Sequence, residues 1–458
     1  MPDATTRALL AKYDQRLPRY TSYPTAPHFT PAIDADVYRS WLTGLPDRSP
    51  ASVYLHVPFC AALCWYCGCN TSVVNGVEPI ADYAALLRRE IALVAKTMAG
   101  RLSVGNIHWG GGTPTMLQDR DFAAIMARLR ADFDILPDAE ISVELDPRGL
   151  TRMRTRQLAR EGVNRVSLGV QDFDPAVQAA INRIQPFEQT TAVVSWLRGA
   201  GLDRINFDLM YGLPLQTIEG VVGTVDRAVS LRPQRIALFG YAHVPWMKRH
   251  QKLLPLDALP DAAERFDQSE AAARRLAGHG YVPIGLDHFA LPDDPLVRQQ
   301  RNGRLARNFQ GYTTDDSPVL LGFGASSIGR LPQGYIQNAP DLPTYRRTLS
   351  DDRLPTARGI AFKDDDRLRA QVIERLMCDF AVDLAELAAA HGWAPELFRD
   401  DLARLQPLVE DGIATHKGWV IAVTERGRPL VRAVAAAFDT YLDRSGAAAD
   451  VLRHSRAV

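Results

Sequence analysis

From Ser52 onward the chain alternates short apolar runs with amphipathic stretches. The runs are SVYLHV, VGNIHWG, EISVELD, RVSLGV, RINFDLMYG and RIALFGY, with a later candidate in YVPIGLDHF. Between them lie segments such as YAALLRREIALVAKTM and VVSWLRGAG, which read as amphipathic helices. Strands alternating with helices predict parallel strands joined by right-handed crossovers. Six or seven such units fit a partial or full barrel better than a short open sheet, although the pattern permits both.

On either side the pattern breaks down. Residues 1 to about 48 form an arm rich in Pro, Tyr and Thr with no steady period. Such arms either extend away or fold back over a site. Past about residue 360 the chain reads as helices, then as two strands around the Lys417-Gly418 turn in IATHKGWVIAVT, then as the helix RGRPLVRAVAAAFDTYL. This predicts a small, mainly helical, winged-helix-like module. It presents no basic recognition face, so a structural cap is expected rather than a DNA reader. The expected organisation is an arm at 1–48, an α/β domain at 49–355 and the small domain at 356–458.

Length and charge narrow the function classes. The 458 residues suffice for one large and one smaller core, and 46% hydrophobic with 23% charged residues is ordinary for a globular chain. Lys+Arg and Asp+Glu both number 53. That balance argues against bulk nucleic-acid binding, while leaving room for a local basic pocket for an acidic small molecule. The first residues lack the apolar core of a signal peptide, and no run of about 18 apolar residues occurs. A cytoplasmic chain without a membrane span is expected.

The chemistry gathers just past the strands. HVPFC, HWGGGTP, ELDP, GVQDF, DLMYGLP and GYAHVP all place polar or glycine-rich residues there. In parallel sheets and barrels this carboxyl end is where ligands bind, so the motifs converge on one mouth. Four of the five cysteines lie between positions 60 and 69; the fifth, Cys378, sits in an apolar helical stretch and reads as a buried core thiol. Cys60, Cys64 and Cys67 give a C-x3-C-x2-C spacing, and three thiolates leave one iron of a cubane cluster open to an exchangeable ligand. The alternative is structural zinc with Cys69 as fourth ligand. Such sites usually pair two separated knuckles, whereas these four cysteines fall within ten residues. Cys69 itself reads as a neighbouring thiol, a spare ligand or a pocket residue.

Supporting loops follow the other strands. The glycines of Gly110-Gly111-Gly112-Thr113-Pro114 let backbone approach a ligand, with N–H and C=O groups available to a zwitterion. Glu144 and Asp146 end the third strand, Gln171 the fourth and Asp208 the fifth; each lies in a mostly apolar run, where a carboxylate is costly unless paired or ligand-bound. Arg183 could meet a carboxylate with two parallel hydrogen bonds. The plain alternative for all of these is strand-end caps and salt bridges. The glycine-rich LGFGASSIG at 321–329 carries no clear nucleotide signature.

Taken together, HVPFCAALCWYCGCN, HWGGGTPT, VELDPR, GVQDF, NFDLMYGLP, YAHVP and NFQGYTT resemble the oxygen-independent coproporphyrinogen III oxidases, a branch of the radical S-adenosylmethionine superfamily. The resemblance runs from RYTSYPTA to FDTYL. It implies a partial (β/α)6-type TIM-like barrel and a 4Fe–4S cluster on Cys60, Cys64 and Cys67. It further implies conversion of two propionates of coproporphyrinogen III to vinyls, with two S-adenosylmethionine molecules per turnover. Tyr54, Gly111, Glu144, Gln171, Arg183 and Asp208 match contacts of one such molecule. Tyr66, Gly112, Thr113, Ala242 and Ile328 match contacts of a second, with Tyr66 where the family commonly has Phe. Cys69, His56, Phe309 and Gln310 are the candidates for the catalytic pocket, and Arg19 for a substrate carboxylate. An electron donor and an acceptor are required partners, and a monomer is expected. A haem-binding chaperone of the same superfamily is the alternative, but such proteins lack the Cys69 extension and NFQGYTT.

Overall fold

The computed structural model describes residues 4–442. Twelve strands share one sheet. They are β1 (Pro50–Val57), β2 (Ser103–Gly111), β3 (Asp134–Leu145), β4 (Arg165–Gln171), β5 (Ile205–Tyr211), β6 (Arg235–Gly240), β7 (Val282–Ile284), β8 (His288–Ala290), β9 (Val319–Phe323), β10 (Ile328–Leu331), β11 (Gly334–Asn338) and β12 (Thr356–Ala361). Their order is β12-β11-β10-β9-β1-β2-β3-β4-β5-β6-β8-β7. From β9 through β1 to β6 every neighbouring pair is parallel. The carboxyl ends of those strands therefore lie on one side, as the motif positions require. The flanking pairs on both edges are antiparallel, giving a partial barrel with open margins.

Two departures from the sequence pattern have local causes. YVPIGLDHF does not supply another parallel strand. Gly285 adopts φ +55°, and the chain doubles back to pair β7 with β8. The additional parallel strand is instead β9, inside a segment whose glycines masked its short apolar run VLLGF. In the small domain the two strands around Gly418 form as Ala414–Lys417 and Val420–Val423, and Ala381–Asp383 pairs with the second of them. The long final helix shortens to a 3-10 segment, Glu425–Leu430, followed by Val431–Ala436. Pro429 lies at this break, where it removes a backbone donor.

Helices cover the sheet through regular apolar faces. Glu78–Thr97 buries Ile80, Tyr83, Ala84, Leu87, Ile91 and Val94 at helical spacing against the strands. Fully burying side chains of this size contributes about 1.5–3 kcal/mol each. The arm, aperiodic as a whole, contains a helix at Ala35–Thr43, started by the Asp34 carboxylate accepting from the N–H groups of Asp36 and Val37. Its Tyr38 and Leu42 join the barrel core. Earlier arm residues, among them Leu10, Leu17, Tyr20 and Tyr23, share a second core with Leu368 to Phe438 of the small domain. The arm thus folds back, and Tyr20 donates to Asp439 at 3.0 Å. Cys378 is fully buried, as its apolar helix implied, and burial pushes its thiol well up.

Candidate active site

The cysteine loop leaves β1 and is tied down at both ends. Thr113 N–H donates to the Phe59 carbonyl at 2.7 Å, and Gly112 N–H to the Val57 carbonyl at 2.8 Å. Gly112 has to be glycine. A Cβ there would lie 2.6 Å from both the Phe59 carbonyl oxygen and Thr71 Oγ1. Gly111 sits at φ +111°, and its Cβ would meet the His56 ring at 2.8 Å. Its N–H donates to Glu144 Oε2 at 3.3 Å. The N–H groups of Gly111, Gly112 and Thr113 are therefore used within the protein.

Each of the three thiols of the C-x3-C-x2-C motif faces hydrogen-bond donors. Cys60 receives Thr71 Oγ1 at 3.1 Å and Thr113 Oγ1 at 3.6 Å. Cys64 receives Arg148 Nη2 at 3.4 Å and Arg183 Nη1 at 3.5 Å. Cys67 receives the Cys69 N–H at 3.4 Å. Hydrogen bonding from Cys69 holds the Cys67 thiol at about 6, below its usual range, whereas burial raises Cys60. Donors aimed at sulfur suit thiolate ligands, whose charge they stabilise.

Behind the loop lies a chain of polar contacts. Tyr54 donates to His56 Nδ1 at 3.0 Å, and His56 Nε2 donates to the Asn70 carbonyl at 2.9 Å. Burial lowers His56, so the ring is neutral. Tyr54 also stacks on His108, whose Nε2 reaches Glu144 Oε1 at 3.0 Å. Asp208 lies within β5, not at its end, and accepts from Ser167 at 3.0 Å. Burial, then repulsion from Glu144, raises its carboxyl to about 7. Gln171 ends β4 at φ +66°.

Arg183 is already engaged on one side. It donates to Asp146 at 3.2 Å and to the Gly169 carbonyl at 2.5 Å, while its buried Nε has no hydrogen-bond partner. Burial alone would raise Asp146, but Arg148 and Arg183 outweigh it and hold the carboxyl below its usual range. Asp146 is therefore a cap and ion-pair partner. Arg148, Thr71, Lys248, His250 and Gln251 are contacts that sequence reasoning did not single out. Lys248 donates to the Cys69 carbonyl, His250 to that of Cys67, and Gln251 to those of Tyr66 and Ala242, at 2.8, 2.7, 3.0 and 3.2 Å respectively. VELDPR did contain Arg148; nothing local marked the 248–251 segment.

The remaining candidates are dispersed. Tyr66 packs beside an apolar cluster with Ile181, Leu213 and Tyr241. Ile328 begins β10. Phe309 and Gln310 form the turn between Ala306–Asn308 and Gly311–Thr313, with Phe309 edge-on to Tyr335 and the Gln310 N–H donating to Asn308. Among the described residues, neither joins the cysteine loop through a hydrogen bond or ring contact.

The residues fit a three-thiolate cluster with S-adenosylmethionine. The three sulfurs are donor-supported, the buried Arg183 Nε beside Cys64 has no partner, and the raised Asp208 sits within β5.

Comparison with known proteins agrees. The Radical SAM superfamily matches residues 54–228, and the HemN C-terminal domain matches 362–430. An oxygen-independent coproporphyrinogen III oxidase of Bradyrhizobium diazoefficiens is 55% identical, across 94% of this chain and 96% of that one. One from Paracoccus denitrificans is 43% identical over the same shares. The solved coproporphyrinogen III oxidase (HemN) of Escherichia coli, described as a radical SAM enzyme, superposes with a TM-score of 0.90 at 39% identity, covering 95% of this chain and 99% of that one. The chain belongs to the oxygen-independent coproporphyrinogen III oxidase family of the radical SAM superfamily.

Proposed function

We propose that this chain converts two propionate side chains of coproporphyrinogen III to vinyls, yielding protoporphyrinogen IX and two molecules of carbon dioxide. The observation that carries this reading is the trio of donor-supported thiols, Cys60, Cys64 and Cys67, at the mouth of the parallel sheet. When bound, a 4Fe–4S cluster and S-adenosylmethionine supply a carbon-centred radical able to take one hydrogen atom from a propionate β-carbon. Loss of the carboxylate as carbon dioxide, and of one electron to an acceptor, then leaves the vinyl.

The chain's own groups bind, orient and shield. Arg183 and Arg148 place positive charge beside Cys64. Neutral His56 ties Tyr54 to the far end of the loop. Glu144 and Asp208 offer acceptors for an ammonium or a ribose. Lys248, His250 and Gln251 clamp the loop against the strand ends, which helps to exclude water. Two S-adenosylmethionine molecules are consumed per product, one for each propionate. The enzyme acts as a cytoplasmic monomer, with an external one-electron donor and acceptor. No helix among the described residues is long and apolar enough to cross a membrane.

Anaerobic reconstitution tests this. With a reductant, S-adenosylmethionine and coproporphyrinogen III, two 5′-deoxyadenosines should appear per protoporphyrinogen. Deoxyadenosine without vinyl product would refute the substrate, and zinc in place of iron would refute the chemistry.

A further inference from the structure

A cavity of about 840 Å³ opens between the arm, the ends of β5 and β6, the β7–β8 turn and the small domain. That lies within the range of small-molecule pockets, about 300–1,000 Å³. Its lining includes Arg19, Arg265, Arg307 and Arg432, drawn from four separate segments. Of the other lining carboxylates, Asp261 caps a helix, Glu270 pairs with Arg274, Glu425 pairs with Arg428, and Asp14 has partners of its own. Asp287 is the carboxylate set against this group, 3.7 Å from Arg307.

Arg307 is 6% exposed, and its Nε and Nη1 have no hydrogen-bond partner. Arg265 Nε is likewise buried without one, while its Nη2 donates to the Tyr241 carbonyl at 2.8 Å. Arg432 donates to the carbonyls of Leu17 and Pro18, pinning the arm against the cavity. Burial would raise Asp287, yet Arg307, His288 and Arg19 hold it at about 2. Burial, reinforced by Arg19 and Arg307, lowers Arg432 to about 9. Buried donors without acceptors are expensive unless a ligand supplies them.

The lining also includes residues 240–243 at the end of β6, beside Arg265. Gln251 bridges this segment to the cysteine loop through the carbonyls of Ala242 and Tyr66. The cavity therefore joins arginines from the arm, the barrel and the small domain to a segment tied to the cysteine loop.

We propose that Arg19, Arg265, Arg307 and Arg432 hold the two propionates of the tetrapyrrole that do not react. The assignment rests on the substrate proposed above. Decarboxylation turns an anion into neutral carbon dioxide. A guanidinium pair stabilises the carboxylate before reaction more than the transition state in which that charge disappears. Arginine-held propionates are thus retained, and their anchoring turns the opposite edge of the macrocycle toward the cysteine loop. Arg307→Gln and Arg19→Ala probe the anchor from two separate segments, and Arg19, itself exposed between the buried Pro18 and Tyr20, can be changed without altering a buried side chain.

The test is anaerobic fluorescence titration of the iron-loaded full chain with coproporphyrin III and with protoporphyrin IX. The latter lacks the two reacting carboxylates but keeps the other two. The affinity for both should fall at least tenfold in R307Q and several-fold in R19A, by the same factor for each porphyrin. The cluster absorbance should match the parent. Unchanged affinity in both variants would overturn the assignment. A loss confined to coproporphyrin III would also overturn it, by placing the arginines on the reacting propionates. Either result leaves the substrate assignment standing if the parent enzyme still forms vinyls, whereas a parent without vinyl product defeats that assignment itself.

Discussion

The imidazole of His56 donates from Nε2 to the carbonyl of Asn70 at 2.9 Å, joining the end of the first strand to the far end of the cysteine loop. With that nitrogen protonated, Nδ1 accepts from the Tyr54 hydroxyl at 3.0 Å, which fixes a neutral tautomer. His56→Phe keeps the ring volume and removes both bonds. A cost of about 1–3 kcal/mol is expected from the unsatisfied partners. Reduced iron retention after gel filtration, with an intact circular dichroism spectrum, is the outcome to look for.

Gly112 and Gly68 make a matched pair within the same site. A Cβ on Gly112 would press into the Phe59 backbone, whereas one on Gly68 would meet nothing within 4 Å. Gly112→Ala should cost about 1–3 kcal/mol by overpacking and lower cluster content. Gly68→Ala, between Cys67 and Cys69, should change neither. Iron and sulfide analysis alongside thermal unfolding distinguishes the two.

Glu90 gives the clearest pH dependence. Its buried carboxylate accepts from the Gly324 N–H, Asn338 and Tyr345 at 2.8, 2.5 and 2.6 Å, and burial raises it to about 7. A raised carboxyl binds its proton more tightly in the folded state. Its stabilising contribution is complete below the unfolded value near 4.5 and disappears as pH rises through about 7. Relative to Glu90→Gln, the parent should lose up to about 3 kcal/mol between pH 5 and 8. Urea unfolding at several pH values measures this, and parallel curves for the two proteins would contradict it.

Cysteine replacements separate ligand from core. Cys64→Ser should abolish the cluster absorbance. Cys378→Ser places a hydroxyl in an apolar cluster with Ile284 and Leu296, at a cost of about 1–3 kcal/mol, and should leave iron content unchanged.

The sequence disclosed what depends on local periodicity and spacing. The six runs from SVYLHV to RIALFGY form the parallel strands β1 to β6, and their carboxyl ends lie on one side. Cys378 was legible because an apolar helix buries whatever thiol it carries. β9 was obscured because Gly322 and Gly324 interrupt its apolar signal, although Gly322 is required where a Cβ would meet the Ile328 carbonyl at 2.6 Å. The arm's apolar residues showed no period because they serve two cores, Tyr38 and Leu42 in one and Leu17 and Tyr20 in the other. Contacts such as Arg148 to Cys64, 84 positions apart, or Lys248 to Cys69, 179 apart, exist only in three dimensions. The occupied N–H groups of Gly111 and Gly112 likewise became visible only once Glu144 and Val57 were placed beside them.

The most direct test follows the hydrogen atom. Coproporphyrinogen III carrying deuterium at both β-positions of its propionates should yield one deuterium in each 5′-deoxyadenosine, together with a vinyl product that has lost one deuterium per converted side chain. Unlabelled deoxyadenosine accompanying vinyl formation would contradict radical abstraction from that carbon, and with it the role assigned to Cys60, Cys64 and Cys67.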